Sequence, residues 1–318
     1  MNVIQERLAA LRSKMQEHGI NYYVVPTADF HQSESVGEHF KARKFITGFS
    51  GSAGVAVVGL DGAWLWVDGR YFLQAGEQLQ GTTVELMKMG EPGVPTLDAF
   101  INSNLKKGEK IGFDGRVVSM DEGQLYDEIA KKHEGCIEYS VDLIDEIWTD
   151  RPPLSEKPAF ELEVKYTGKT VAEKLADIRE KMVEAEADMH VVTTLDDICW
   201  TLNIRGDDIN FFPLVLSYAL MDANEYHLYI DERKLSDEIK AHFEKDGVVL
   251  HPYNDIYEDI KYIPEDTKLM LDASKVNYAL FCNIPESVKK IDVMNPEMIF
   301  KNVKNHVELE NIRKAQIK

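Results

Sequence analysis

The chain has 318 residues, 44% hydrophobic and 29% charged, with 55 acidic against 36 basic side chains and a formal net charge of −19. That length suffices for two domains with cores of their own, and no apolar run approaches the eighteen or so residues that a membrane helix needs. A field this negative repels nucleic acid and anionic membrane, and an amphipathic N-terminus without a signal-peptide core leaves the cytoplasm as the expected compartment.

In chain order, residues 6–15 read as a helix with Leu8, Leu11 and Met15 on one face, running into a strand at 22–25. Strands follow at 55–58, 64–67, 84–87 and 111–113, with helical segments near 96–105 and 121–132. The turn Gly59-Leu60-Asp61-Gly62 joins neighbouring strands tightly, so the sheet is expected to be mixed. Residues 150–158 hold Pro152, Pro153 and Pro158, which preclude a helix and read as a stiff connector. Beyond it the pattern repeats. Val171, Leu175, Ile178 and Met182 form a second amphipathic face, a strand follows at 189–192, and Arg12, Met15, Val24, Val25 and Asp29 align without gaps on Arg179, Met182, Val191, Val192 and Asp196. Strands are expected at 214–220, 226–230, 248–250 and 269–271, and helices near 255–262 and 275–281.

The reading is therefore α/β, with domains at 1–158 and 159–301, each a sheet flanked by helices. Residues 302–318 read as a charged helix, with Val303, Val307, Ile312 and Ile317 among its apolar positions. It meets no glycine or proline terminator, which suggests a natural chain that continues. Cys136, Cys199 and Cys282 are sparse and unpaired in pattern, and are expected as reduced thiols in or near the core.

Most constellations with chemical potential fail on spacing. His31, Glu34, Glu38 and His39 are the best metal-ligand cluster, yet they match no HExxH or CxxC pattern and precede the basic run 41–44, which reads as a solvated face. The pairs Asp196-Asp197 and Asp207-Asp208 read as caps or turns. In Gly48-Phe49-Ser50-Gly51-Ser52-Ala53-Gly54 the serines do not meet the GxSxG spacing, and a tight turn is the expected role. Asp68 and Arg70, two apart at a strand end, can lie side by side. The carboxylate would then hold the guanidinium and leave its other donors for a carbonyl or carboxylate, although a surface ion pair of little energetic weight is the plainer reading.

Longer motifs then add a resemblance. Val25-Pro26-Thr27-Ala28-Asp29, His31-Gln32-Ser33-Glu34, Phe49-Ser50-Gly51-Ser52-Ala53-Gly54 and Asp68-Gly69-Arg70-Tyr71-Phe72 resemble the three-domain Xaa-Pro aminopeptidases of the creatinase/prolidase type. So do Ile147-Trp148-Thr149-Asp150-Arg151-Pro152, Thr194-Leu195-Asp196-Asp197-Ile198-Cys199-Trp200 and the tail from Lys304 to Ala315. The resemblance implies two tandem creatinase N-terminal-type domains and a parent enzyme that removes an N-terminal residue preceding proline. It further implies two manganese ions held by two Asp, one His and two Glu of a C-terminal pita-bread domain, whose ligand motifs do not occur here; peptides with proline second as partners; and a homodimer in the full-length protein. In this family the arginine of the DGRY segment contacts peptide substrate, which transfers that role to Arg70 with Asp68 as its orienter. No catalytic or metal residue is expected within these 318, which alone would be inactive. A non-catalytic oligomerisation or peptide-binding module is the alternative, while creatine amidinohydrolase, with one such domain, fits the repeat less well.

Overall fold

The computed structural model describes residues 2–317; the predicted termini at Met1 and Lys318 lie outside them. The chain forms two compact units. One takes in the chain up to Pro153 together with Asn277–Ala279, and the other Leu154–Val276 and the chain from Leu280 onward. The division falls inside the proline-bearing connector.

The first unit is built on a six-stranded sheet of β1 (Tyr22–Pro26), β2 (Val55–Gly59), β3 (Ala63–Val67), β4 (Glu85–Lys88), β5 (Lys110–Phe113) and β6 (Cys136–Glu138), in the order β4-β3-β2-β1-β5-β6. The pairs β1–β2 and β2–β3 are antiparallel; β3–β4, β1–β5 and β5–β6 are parallel. In the second unit β7 (Phe160–Glu161) and β9 (Ile204–Arg205) form a small ribbon. The second unit's main sheet comprises β8 (Met189–Val192), β10 (Ser217–Met221), β11 (Tyr226–Ile230), β12 (Val248–His251), β13 (Lys268–Leu271) and β14 (Lys289–Asp292). Its order, β12-β11-β10-β8-β13-β14, repeats the first sheet with the same strand directions.

In each unit a helix whose start is fixed by a capping box precedes the first strand of the main sheet, Asn2 with Gln5 at Val3–Glu17 and Thr170 with Glu173 at Val171–Glu184. Their inner faces bury Leu8, Leu11 and Met15, and Leu175, Ile178 and Met182, as the spacing predicts. The repeat extends to polar detail. Arg12 Nε donates to the Gly59 carbonyl at 2.9 Å and Arg179 Nε to that of Asp222 at 3.1 Å, each at the end of the strand antiparallel to the unit's first sheet strand.

Several expectations need correction. The helical segment expected near 255–262 is present, divided into the consecutive short helices Tyr253–Asp255, Ile256–Asp259 and Ile260–Tyr262, whereas the one expected from 275 starts at Tyr278. The C-terminal stretch is not one helix from residue 302. It is Pro296–Asn302 and then His306–Gln316, because the Asn305 side chain accepts from Val307 N and Glu308 N and restarts the helix. Cys136 is exposed on edge strand β6, whereas Cys199 is buried and its thiol pushed up to about 12 by burial.

Two buried ion pairs tie the second unit together. Lys234 Nζ lies 2.6 Å from Asp208 Oδ2, which also accepts from Leu216 N at 2.7 Å. Deleting one partner strands the other's charge in the interior. Asp208→Ala should therefore cost the second unit about 3–5 kcal/mol in urea denaturation, with much of it recovered by Lys234→Met in the same chain. A single-variant loss under about 1 kcal/mol would show that the pair is not needed.

His190 and Glu297, both fully buried, pair at 3.3 Å, and His190 Nδ1 lies 3.1 Å from the Met270 carbonyl. Burial disfavours the charged imidazole, but Glu297 and this carbonyl hold the His190 pKa above the ordinary 6.5. A raised folded-state value means that the stabilisation is complete below pH 6.5 and lost as pH rises through the folded value. Thermal melts should show stability falling above pH 6.5 more steeply in the wild type than in Glu297→Gln; parallel curves would contradict the pairing.

Candidate functional site

The site grows from the end of β3. Asp68 follows the last strand residue and caps the single helical turn Gly69–Tyr71. Its carboxylate accepts three hydrogen bonds from Arg70: backbone N at 3.0 Å, Nε at 2.9 Å and Nη2 at 2.9 Å. These bonds, with the guanidinium charge, lower the Asp68 pKa to about 2 and raise that of Arg70. The Arg70 side chain is 68% exposed, and Nη1 stays outside the clasp.

The clasp alone does not single out Arg70. After β5, Asp114 accepts from Arg116 N, Nε and Nη2 at 3.0, 3.0 and 3.1 Å. After β11, Asp231 accepts from the same atoms of Arg233 at 3.1, 2.9 and 2.7 Å. All three Asp-x-Arg segments that follow a strand in this chain bring these groups together, so the geometry goes with the local backbone. What differs is the surroundings. Arg116 packs over the Phe30 ring at 4.6 Å, and Arg233 is also held by Glu156 at 2.8 Å. Arg70 lies over Tyr71 at 5.2 Å, and the Tyr71 hydroxyl meets Ser52 Oγ at 2.7 Å.

Ser52 belongs to the loop 49–54, which Arg43 organises from beneath. Only 3% exposed, Arg43 donates through Nε to Thr27 Oγ1 at 2.9 Å, through Nη1 to the Phe49 carbonyl at 2.7 Å, and through Nη2 to that of Gly51. Its guanidinium carbon Cζ lies over the Phe49 ring, 4.6 Å from the ring centre. Burial lowers its pKa to about 10, so it remains charged at neutral pH. The basic run 41–44 is thus not wholly a solvated face: Lys44 is exposed, and Arg43 points inward. Gly51 is required because a Cβ there would stand 2.2 Å from Phe49 Cζ and 2.8 Å from Tyr71 Cδ1. Gly54 takes φ +144°, with its would-be Cβ 2.8 Å from the Trp66 carbonyl. Ser50 is fixed by Gln74 and Gln78 at 3.1 and 2.9 Å. The expected tight turn is present, with glycines in the roles foreseen.

The combination offers exposed donors and positive charge, suited to gripping a carbonyl or carboxylate. Sequence reasoning found Asp68 and Arg70 but missed Arg43, Tyr71 and Ser52 as one assembly. The one available signal was a basic residue six positions before an aromatic-glycine loop, which no periodicity marks.

The His31 cluster disperses. His31 is buried, its backbone N donating to Asp29 at 2.9 Å; His39 Nδ1 lies 2.7 Å from the Pro152 carbonyl; Glu38 pairs with Lys41. Burial lowers the His39 pKa below 6.5. Asp196 and Asp197 sit in the first turn of Leu195–Thr201 and both meet Lys301, while Asp207 pairs with Lys157 and Asp208 turns inward to Lys234. Among the described residues no group of three or more His, Cys, Asp and Glu is arranged to hold a metal ion, and no helix is long and apolar enough to cross a membrane.

The creatinase/prolidase N-terminal domain matches twice, at residues 7–146 and 150–308. A probable Xaa-Pro aminopeptidase P of Neurospora crassa is 38% identical over 98% of this chain and 47% of its own length. Xaa-Pro aminopeptidase 1 of Dictyostelium discoideum is 35% identical over 99% of this chain and 51% of its own. The crystal structure of X-prolyl aminopeptidase from Caenorhabditis elegans, described as a cytosolic enzyme with a di-nuclear active site, superposes with TM-score 0.93 at 34% identity, covering 99% of this chain and 54% of that one. The chain thus spans about half the length of the curated relatives it matches.

A methyl group at residue 51 tests the loop. Gly51→Ala should force Tyr71 and Phe49 apart, cost the first unit about 1–3 kcal/mol and alter the near-UV signal of Tyr71. An unchanged melt and spectrum would show that the loop has slack.

Proposed function

The chain belongs to the creatinase/prolidase N-terminal domain family, which it carries twice, and from that premise we propose that it forms the two N-terminal domains of a Xaa-Pro aminopeptidase. The reaction proposed for the whole protein is hydrolysis of the bond between an N-terminal residue and a following proline. The observation that supports this is a match over nearly all of this chain, and about half of theirs, to proteins bearing that name, at 38% identity to the Neurospora crassa relative and TM-score 0.93 to the Caenorhabditis elegans enzyme.

The described residues do not fit a metal pair, so that chemistry, with manganese as the proposed ion, is assigned to a catalytic domain outside them. When bound, two metal ions supply an activated water and a polarised carbonyl. This chain contributes grip. Arg70 is proposed to hold the peptide through the donors that Asp68 leaves free, and Asp68 to fix the guanidinium plane so that little rotamer freedom is lost on binding. The remaining parts of the reading are a peptide with proline second as substrate, a homodimeric whole protein and a cytoplasmic location.

The repeated clasp supplies an internal control. In the full-length protein, Arg70→Ala should lower kcat/KM for a Xaa-Pro peptide by at least about tenfold at unchanged metal content. Arg233→Ala, which breaks the same clasp in the second unit, should leave it within about twofold. An Arg70→Ala enzyme within about twofold of wild type, or two variants equally impaired, would overturn the assignment.

A further inference from the structure

Among the described residues three lysine and arginine residues, Arg43, Lys174 and Lys234, are buried, and of these Lys234 meets an acid, Asp208, at 2.6 Å. Lys174 and Arg43 are not so arranged. Lys174 donates only to the Trp200 carbonyl and Asn203 Oδ1, at 2.6 and 2.7 Å, and burial brings its pKa to about 7, so it can shed its charge near neutral pH. Arg43 cannot, since a guanidinium keeps its proton. Its hydrogen-bond partners are one hydroxyl and two backbone carbonyls, so a full positive charge lies beneath the loop 49–54 with no carboxylate in direct contact.

That charge bears on the surface above it. Arg43 holds the Gly51 carbonyl, Gly51 packs under the Tyr71 ring, and the Tyr71 hydroxyl meets Ser52 Oγ at 2.7 Å. Arg70 stands beside Tyr71, but its own charge is largely met by Asp68, and exposed Glu34 adds a further attraction. The uncompensated charge at this place is therefore that of Arg43, in a chain whose net charge is −19.

We propose that buried Arg43 makes the Ser52–Tyr71–Arg70 surface a receptor for a carboxylate, so that the enzyme favours peptides presenting a carboxylate there. This rests on the reading of Arg70 as a peptide contact. Arg43 is a positioning residue that acts through the loop and through its field, and it does not touch the substrate. The carboxylate has two possible sources, the C-terminus of a short peptide or an acidic side chain, and the chemistry of recognition is common to both.

The experiment uses the full-length protein and three peptides: Xaa-Pro-Ala with a free C-terminus, the same peptide as its C-terminal amide, and Xaa-Pro-Asp amide. The wild type should cleave the free acid about fivefold better in kcat/KM than the amide. Behaviour of the aspartyl amide like the acid assigns the carboxylate to a side chain, and behaviour like the plain amide assigns it to the C-terminus. Arg43→Gln should bring the acid-to-amide ratio close to one, and Arg43→Lys should keep most of it; a purely structural defect lowers both peptides alike and leaves the ratio intact. Should Arg43→Gln not fold, Ser52→Asp, on the exposed surface, should depress the acid more than the amide. A wild-type ratio within about twofold overturns this inference while the peptidase reading stands. So does an Arg43→Gln ratio equal to wild type, or a Ser52→Asp enzyme that slows both peptides equally. Failure to cleave any of the three would remove the reading and the inference together.

Discussion

Strand direction is the constraint on which the rest depends. In each six-stranded sheet only one strand, β2 in the first and β10 in the second, runs against its neighbours, antiparallel on both sides, while the others share one direction. The carboxyl ends of β1, β3 and β5 therefore emerge on a single edge, the side on which open α/β sheets expose loops for binding. Each end is turned by an aspartate two residues before the N–H it captures: Asp29 to His31, Asp68 to Arg70, Asp114 to Arg116. In the second sheet Asp231 and Asp272 do the same for Arg233 and Ser274. The polar edge is thus a consequence of topology first, and only then of particular residues.

Against that background the legible and the hidden parts of the fold separate on physical grounds. The repeat was visible because burial imposes a spacing, and Leu8-Leu11-Met15 and Leu175-Ile178-Met182 obey it in charged surroundings. Strands β2, β3, β11 and β13 were visible because they are apolar and buried. β6 and β14 were not, since a three-residue Cys-Ile-Glu and a Lys-Lys-Ile-Asp carry the polar side chains that edge strands use and no apolar run. The restart at Asn305 was obscured because residues 302–317 keep a helical composition across the break, and only the cap geometry reveals it.

The candidate site divides in the same way. Asp68 and Arg70 are adjacent in sequence, so their clasp follows from spacing alone, yet recurrence at Asp114 and Asp231 shows how little such spacing says about role. What gives Arg70 its surroundings is long-range: Ser52 lies 19 residues from Tyr71 and Thr27 lies 16 from Arg43. No local rule places a charged side chain inside a core, and a basic run is ordinarily solvent-facing. Arg43 enters because a guanidinium is planar, more weakly hydrated than an ammonium and able to meet several acceptors through a fixed fork of donors.

The way the chain leaves the first unit has a mechanical meaning. Arg151 Nε donates to the His39 carbonyl at 2.9 Å while its Nη1 grips Asp142 at 2.6 Å, and His39 Nδ1 meets the Pro152 carbonyl at 2.7 Å. These contacts fasten the unit's exit to a residue 112 positions back, closing most of its chain into a loop. Tension applied along the connector would load this latch before any strand, and once it slips the unit loses a closure whose re-formation grows costlier with loop length. The first unit should therefore yield in a single step under force, and the proline-bearing connector transmits load without stretching much itself.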